Sequence, residues 1–190
     1  MPARSSARIR HATEADLDQV LALYHEFHEF HVRSVPDRLR VPTPYDDTAA
    51  CETLRDILHN KDAALFVAEE HGRLVGLAEV FLRHDAPHPA AIEHVYGHLQ
   101  TLLVTEAARR RGQGQRLLAT VEQWAREHGA TEMRLVCWEF AEGPIPFYEA
   151  LGYRTMKRTL VHALYAADDA IPASQAGPAP SYAAKKKRDG

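Results

Sequence analysis

A chain of 190 residues, 45% hydrophobic and 26% charged, has ordinary globular composition and room for one domain with a tail, which excludes collagen, coiled coil and a wholly disordered polymer. Its 23 Lys and Arg against 26 Asp and Glu give a net charge of −3, which offers no whole-chain footprint for nucleic acid. The unusual count is 12 His, which fully protonated would carry the charge to +9.

The predicted elements follow in chain order. Ala7 to Arg10 reads as a short strand. Thr13 caps a helix start with Glu14 and Asp16 in its first turn. Leu17, Val20, Leu21, Tyr24, Phe27 and Phe30 then recur at helical spacing. Val35 to Pro44 holds three prolines and is a loop. Thr48 to His59 reads as a second helix with Cys51, Leu54, Ile57 and Leu58 inward. Leu65 to Ala68 is a strand, His71-Gly72 a tight turn, and Leu74 to Leu82 the returning strand. His84 to His94 is a polar connection. Leu99 to Val104 is a strand, Gly112 to His128 a helix stopped at Gly129, and Met133 to Trp138 a buried strand. Pro146 opens a short helix to Leu151, and Tyr153 to Leu164 reads as the last strand.

The order β-α-α-β-β-β-α-β-α-β predicts an α/β (α+β) fold, a mixed central sheet flanked by helices in a single domain over residues 1–165. Residues 166–190 are rich in Ala and Pro and end in Lys185-Lys186-Lys187-Arg188. They predict a disordered tail whose basic end is a solvated charge run or a weak anionic contact. Cys51 and Cys137 build neither a disulfide framework nor a Cys-based zinc spacing. No apolar run approaches a membrane span, and the polar start lacks the apolar core of a leader, so a cytoplasmic, soluble protein is expected.

The strongest local signal is the strand Leu99–Val104 followed by Arg109-Arg110-Arg111-Gly112-Gln113-Gly114 and a helix. A helix N-terminus presents free N–H groups and a positive dipole end, and glycine lets a ligand approach the backbone. Together with three arginines they form an anion site suited to phosphates. A flexible basic loop capping a helix fits the same residues. The segment lacks the Gly-Lys-Ser/Thr of a Walker loop, and Leu117 stands where a dinucleotide fingerprint needs its third glycine.

Downstream lies Pro146-Phe147-Tyr148-Glu149-Ala150-Leu151-Gly152-Tyr153. With the glycine motif, the opening Ile9-Arg10-x-Ala12-Thr13-x-x-Asp16 and the Phe66-Val67-Ala68…Val75-Gly76 hairpin, the chain resembles the GNAT superfamily of acetyl-coenzyme A-dependent N-acetyltransferases over residues 8–165. The resemblance implies an acetyl-CoA donor substrate and a primary amine acceptor on a small molecule or protein, joined by direct attack in a ternary complex. It implies that backbone groups of Leu102, Leu103 and Val104 pair with the pantetheine arm and polarise the thioester carbonyl. Arg109 and Gly112 open the glycine motif. Backbone N–H groups of Arg110, Arg111, Gly112, Gln113, Gly114 and Gln115 would cradle the pyrophosphate. Tyr148 would protonate the leaving thiolate. His98 stands where some members carry a basic carboxylate. Alternation would put it on one face with Gln100, Leu102 and Val104, as a base or as a structural histidine.

One departure is the absence of an asparagine around Phe140-Ala141-Glu142-Gly143, where many members contact the cofactor. His25, His28, His31, His84, His88 and His94 form a candidate acceptor mouth, and no metal site is expected, since a spacing of three drifts around a helix. Glu79, Glu93, Glu139 and Glu142 are candidates for steering a cationic amine. A non-catalytic acyl-CoA sensor on the same fold is the alternative reading. Neither nucleic acid nor membrane is an expected partner, and the resemblance implies a monomer or homodimer.

Overall fold

The structure, a computed structural model, describes residues 7–162 apart from residue 43. The chain divides into two units, Met1–Leu151 and Gly152–Gly190. Every helix and strand among the described residues belongs to the first. In order these are β1 (Arg8–His11), α1 (Leu17–Ser34), α2 (Asp47–His59), β2 (Ala63–Glu70), β3 (Arg73–His84), β4 (Val95–Val104), α3 (Gln113–Glu127), β5 (Glu132–Leu135) and α4 (Ile145–Glu149).

Local chemistry sets the element ends. The Asp16 carboxylate accepts from the backbone N–H and hydroxyl of Thr13 at 2.8 and 2.9 Å and from both terminal nitrogens of Arg10 at 2.7 and 2.8 Å, fixing the entry to α1. Asp46 caps α2 by accepting from the Ala49 N–H at 2.9 Å. His71 and Gly72, at φ 53° and 77°, make the left-handed pair of a two-residue hairpin turn between β2 and β3.

The five strands lie in the order β1-β2-β3-β4-β5. The pairs β1–β2, β2–β3 and β3–β4 are antiparallel, while β4–β5 is parallel because α3 carries the chain across the sheet. Leu65, Val67, Leu77 and Leu103 form one core with Leu17, Val20 and Leu23 of α1 and Leu54 and Ile57 of α2. On the other face α3 buries Leu117, Leu118, Val121 and Trp124. A side chain at Gly76 would meet Leu117, and one at Gly97 would meet Ala125, which places α3 against β3 and β4.

Three sequence expectations change. The last strand, expected over Tyr153–Leu164, does not form over 153–162, the part that is described. The apolar residues Met156, Leu160 and Val161 are all exposed there, so alternation finds no face to bury. The strand expected to reach Trp138 ends at Leu135, since Val136 is 86% exposed and Trp138 43% exposed and neither gains burial by continuing it. The third change concerns the face His98 occupies, described with the site. The tail expected over residues 166–190 lies outside the described residues.

Candidate active site

The site grows from an irregularity in β4. Thr101 pairs with Glu79 of β3, and Leu99 with the next residue, Val80, so Gln100 is an extra residue in β4, a β-bulge. Paired residues share a face. His98 therefore lies with Phe81, and Thr101 and Leu103 lie with Glu79 and Leu77, all on the face covered by α1 and α2. Leu102 and Val104, opposite Ala78 and Gly76, take the α3 face. Simple alternation had put His98 with Leu102 and Val104, and the bulge overturns that placement. The bulge also marks where the sheet opens. β5 pairs with β4 over Tyr96–Leu99, and among the described residues no strand pairs with that edge of β4 from Gln100 to Val104.

Beyond β4 the chain makes a short 3-10 turn at Glu106–Ala108 and enters the arginine segment. Arg110 and Gly112 both take left-handed φ, 62° and 77°. Such alternation turns successive N–H groups toward a common concavity. Gly112 is the N-cap of α3 and no side chain caps the helix, so its first-turn N–H groups are available to an anion. Two of the three arginines have assigned contacts. Arg109 donates from Nε to the Val104 carbonyl at 3.0 Å and stacks over Phe30 at 5.2 Å. Arg111 faces Glu70 at 3.8 Å. Gln113 is buried and accepts from Arg116.

Gly114 joins this loop to the motif of α4. A Cβ there would sit 3.5 Å from the Phe147 ring and 3.7 Å from Val104, so the end of β4, the start of α3 and α4 converge on it. Phe147 meets Tyr148 edge-on at 5.2 Å. Burial pushes the Tyr148 phenol well above its ordinary pKa, and the neighbouring Cys137 thiol adds to the rise. The phenol therefore keeps its proton at neutral pH. Burial, with the charge of Arg83, holds the His98 imidazole below its usual pKa, while a hydrogen bond with Gln100 pulls weakly the other way.

The opposite wall is α1 and what it touches. Phe30 meets Phe140 edge-on at 6.0 Å, which brings the segment lacking the asparagine beside α1. His25 stacks on Tyr45 at 4.1 Å and meets Asp47 at 3.0 Å, and His31 bonds the Phe27 carbonyl. Among the described residues no group of three or more His, Cys, Asp or Glu is placed to hold a metal ion. Of the four acids considered for attracting an amine, Glu93, Glu139 and Glu142 are exposed and Glu79 is buried. The Tyr24 hydroxyl donates to Glu79 Oε2 at 2.6 Å and that of Thr101 donates to the same oxygen at 3.2 Å. Neither Tyr24, one of the helically spaced residues of α1, nor Thr101, within the strand Leu99–Val104, is a site residue predicted from the sequence. Their helical and strand spacings carry no sign of a shared carboxylate, which depends on the register of β3 with β4.

This sheet, with a parallel final pair opened by a bulge and a basic left-handed loop leading into a helix, is the framework of an acetyl-group transferase. The family model "Acetyltransferase (GNAT) family" matches residues 17–153, and the chain belongs to that family. It is 25% identical to the uncharacterized N-acetyltransferase YhfO of Bacillus subtilis (strain 168) over 146 residues, 76% of this chain and 88% of that protein. Over 81 residues it is 35% identical to an aminoglycoside N(6')-acetyltransferase type 1 of Serratia marcescens, covering 42% of this chain and 55% of that protein. Among solved structures, a tetramutant of the BH1408 protein of Bacillus halodurans superposes with a TM-score of 0.74 at 23% identity, over 83% of this chain and 99% of that one. An aminoglycoside N-acetyltransferase AAC(6')-Iy in complex with CoA gives 0.60 at 22%, over 84% and 100%. Both structural likenesses bear on the fold. Among the described residues no helix is long and apolar enough to cross a membrane.

Proposed function

We propose that the protein transfers the acetyl group of acetyl-CoA to a primary amine by direct attack in a ternary complex. The observation that carries this reading is the convergence at Gly114 of the β4 end, the uncapped start of α3 and the helix bearing Tyr148. The backbone of Leu102, Leu103 and Val104 lies where an extended pantetheine arm would add as a strand. The N–H groups from Arg110 to Gln115 offer the pyrophosphate a preorganised cradle, and Arg109 braces that loop through the Val104 carbonyl. Donors fixed before reaction stabilise charge that develops on the thioester oxygen. Tyr148 faces the departing sulfur as a protonated phenol. Its raised pKa keeps the proton on the phenol until the C–S bond breaks, when Tyr148 gives that proton to the departing sulfur. His98, neutral and half-buried, takes up a proton from the attacking nitrogen, directly or through water.

Aminoglycosides lead the acceptors to be tried, because one relative, matched over part of its length, carries that activity in its name. The test is thiol release from acetyl-CoA across spermidine, L-lysine, a lysine-containing peptide and neamine. Release with at least one amine is expected. CoA binding without release for any amine would overturn the transferase reading and favour an acyl-CoA sensor on the same fold.

A further inference from the structure

Two acids are buried among the described residues, and they are treated in opposite ways. Asp16 is held by both arms of Arg10, and its carboxyl is driven well below the usual range. Glu79 is 5% exposed and its assigned partners are two hydroxyls, with no Lys, Arg or His paired to it among the described residues. Both hydroxyls meet Oε2, so Oε1 keeps its lone pairs for another donor. Burial raises the Glu79 pKa, and the two hydroxyl bonds offset this only in part. A buried carboxylate ordinarily carries a cation, because desolvation is otherwise uncompensated. Glu79 also stands at an edge of burial. The β3 residues Leu77 to Val80 are buried, whereas Phe81, and His98 opposite it, are half-open on the same face. The pair Thr101–Glu79 adjoins the bulge where β4 begins its free edge.

We propose that Glu79 Oε1 receives the ammonium group of the acceptor and takes its first proton, so that the missing counter-ion of this carboxylate is the substrate itself. This rests on the amine-acetyltransferase reading and assigns within it the residue that recognises a cationic primary amine. The ammonium gives one proton to Glu79. The neutral nitrogen attacks the thioester carbonyl carbon, the C–N bond forms and the C–S bond breaks. Nitrogen loses its second proton to His98, and sulfur leaves as a thiol with the proton of Tyr148. His98 returns a proton to Tyr148 through water, and Glu79 releases the net proton to solvent.

The groups facing Glu79 are Tyr24 and, one turn along α1, His28, with Thr101, His98 and Tyr96 from β4 and Arg83 from its own strand. From β2 the facing residue is Leu65, and the core residues of α2 are Leu54 and Ile57. Of these His28 and His98 are both held below their ordinary pKa by burial, so neither competes as the cation at neutral pH.

The experiment measures steady-state kinetics against pH with the best amine of the panel, beside CoA affinity. In the parent enzyme kcat/KM should rise through an acidic limb above the ordinary carboxylate range. Glu79→Gln should lower kcat/KM about 10²–10³-fold, raise the amine KM and cut that limb from two protonations, Glu79 and His98, to the single one of His98. It should leave CoA affinity within about twofold, since Leu102, Val104 and the arginine loop lie away from its face. Tyr24→Phe keeps the carboxylate but removes a donor, so the limb should move up by about one pH unit. A folded Glu79→Gln enzyme with unchanged pH profile and amine KM would overturn the proposal while leaving amine acetylation intact. An unmoved limb in Tyr24→Phe would overturn it where Glu79→Gln does not fold. A parent enzyme that releases thiol to no amine would remove the transferase reading and this proposal together.

Discussion

Tyr148 and Asp16 show how one residue's surroundings set what it contributes. Tyr148 is placed by α4 and kept protonated by burial. Replacing it with Phe removes one hydrogen-bond donor and little volume. Tyr148→Phe should therefore lower kcat about 10²-fold with little change in the donor KM, measured by thiol release at saturating amine. An unchanged kcat would remove Tyr148 from the chemistry. Asp16 tests stability instead. Its folded pKa is depressed by Arg10 and Thr13, so its contribution is full above the unfolded carboxylate pKa and drains away as pH falls below about 4. Asp16→Asn should cost about 1–3 kcal/mol at pH 7 in urea unfolding, and the gap to the parent should close as the pH is lowered. Asp16 was legible from the sequence as part of a helix start. Its clamp by Arg10 was not, because that contact depends on where β1 enters the sheet.

The elements divide the same way between local and tertiary information. The hairpin at His71-Gly72, the loop after α1 and the helix opening at Gly112 follow from turn chemistry and periodicity, and all three stand where the sequence puts them. The bulge at Gln100 leaves no trace in composition, and it alone decides which side chains share a face with His98. The short β5 and the unformed strand over 153–162 mark a second limit, since alternation states that a strand has two faces and not whether anything covers either. Two positions, Gly76 and Arg110, test the proposed donor-binding end of β4. A Cβ at Gly76 would lie 2.7 Å from the Leu103 carbonyl oxygen, a backbone atom that moves only with the strand. Gly76→Ala should cost about 1–3 kcal/mol in thermal or urea unfolding and weaken CoA binding with it. Arg110 holds φ 62° without the freedom of glycine, a strain of about 1–2 kcal/mol. Arg110→Gly should raise stability by about that amount while weakening CoA binding. A gain in both would show that the Arg110 charge does not serve the anion site.

At the scale of the whole molecule, net charge is a poor guide to where an anionic donor goes. The chain is at −3, yet three of its arginines are consecutive at the start of α3. Screening limits exposed charges to about 8–10 Å of reach at physiological salt, so the proposed phosphate-bearing donor would respond to the local cluster and not to the sum. Residues 166–190 contain three acids and four Lys and Arg, a net of +1, so removing them changes the total only from −3 to −4. The family match ends at residue 153, and every helix and strand among the described residues ends by Glu149. Deleting 166–190 should therefore leave CoA affinity within about twofold, measured by calorimetry at two salt concentrations. Raising the salt should weaken binding equally in the full and shortened chains. A shortened chain that loses both affinity and salt dependence would place the Lys185–Arg188 run at the donor phosphates and move the anion site away from Arg110–Gln115.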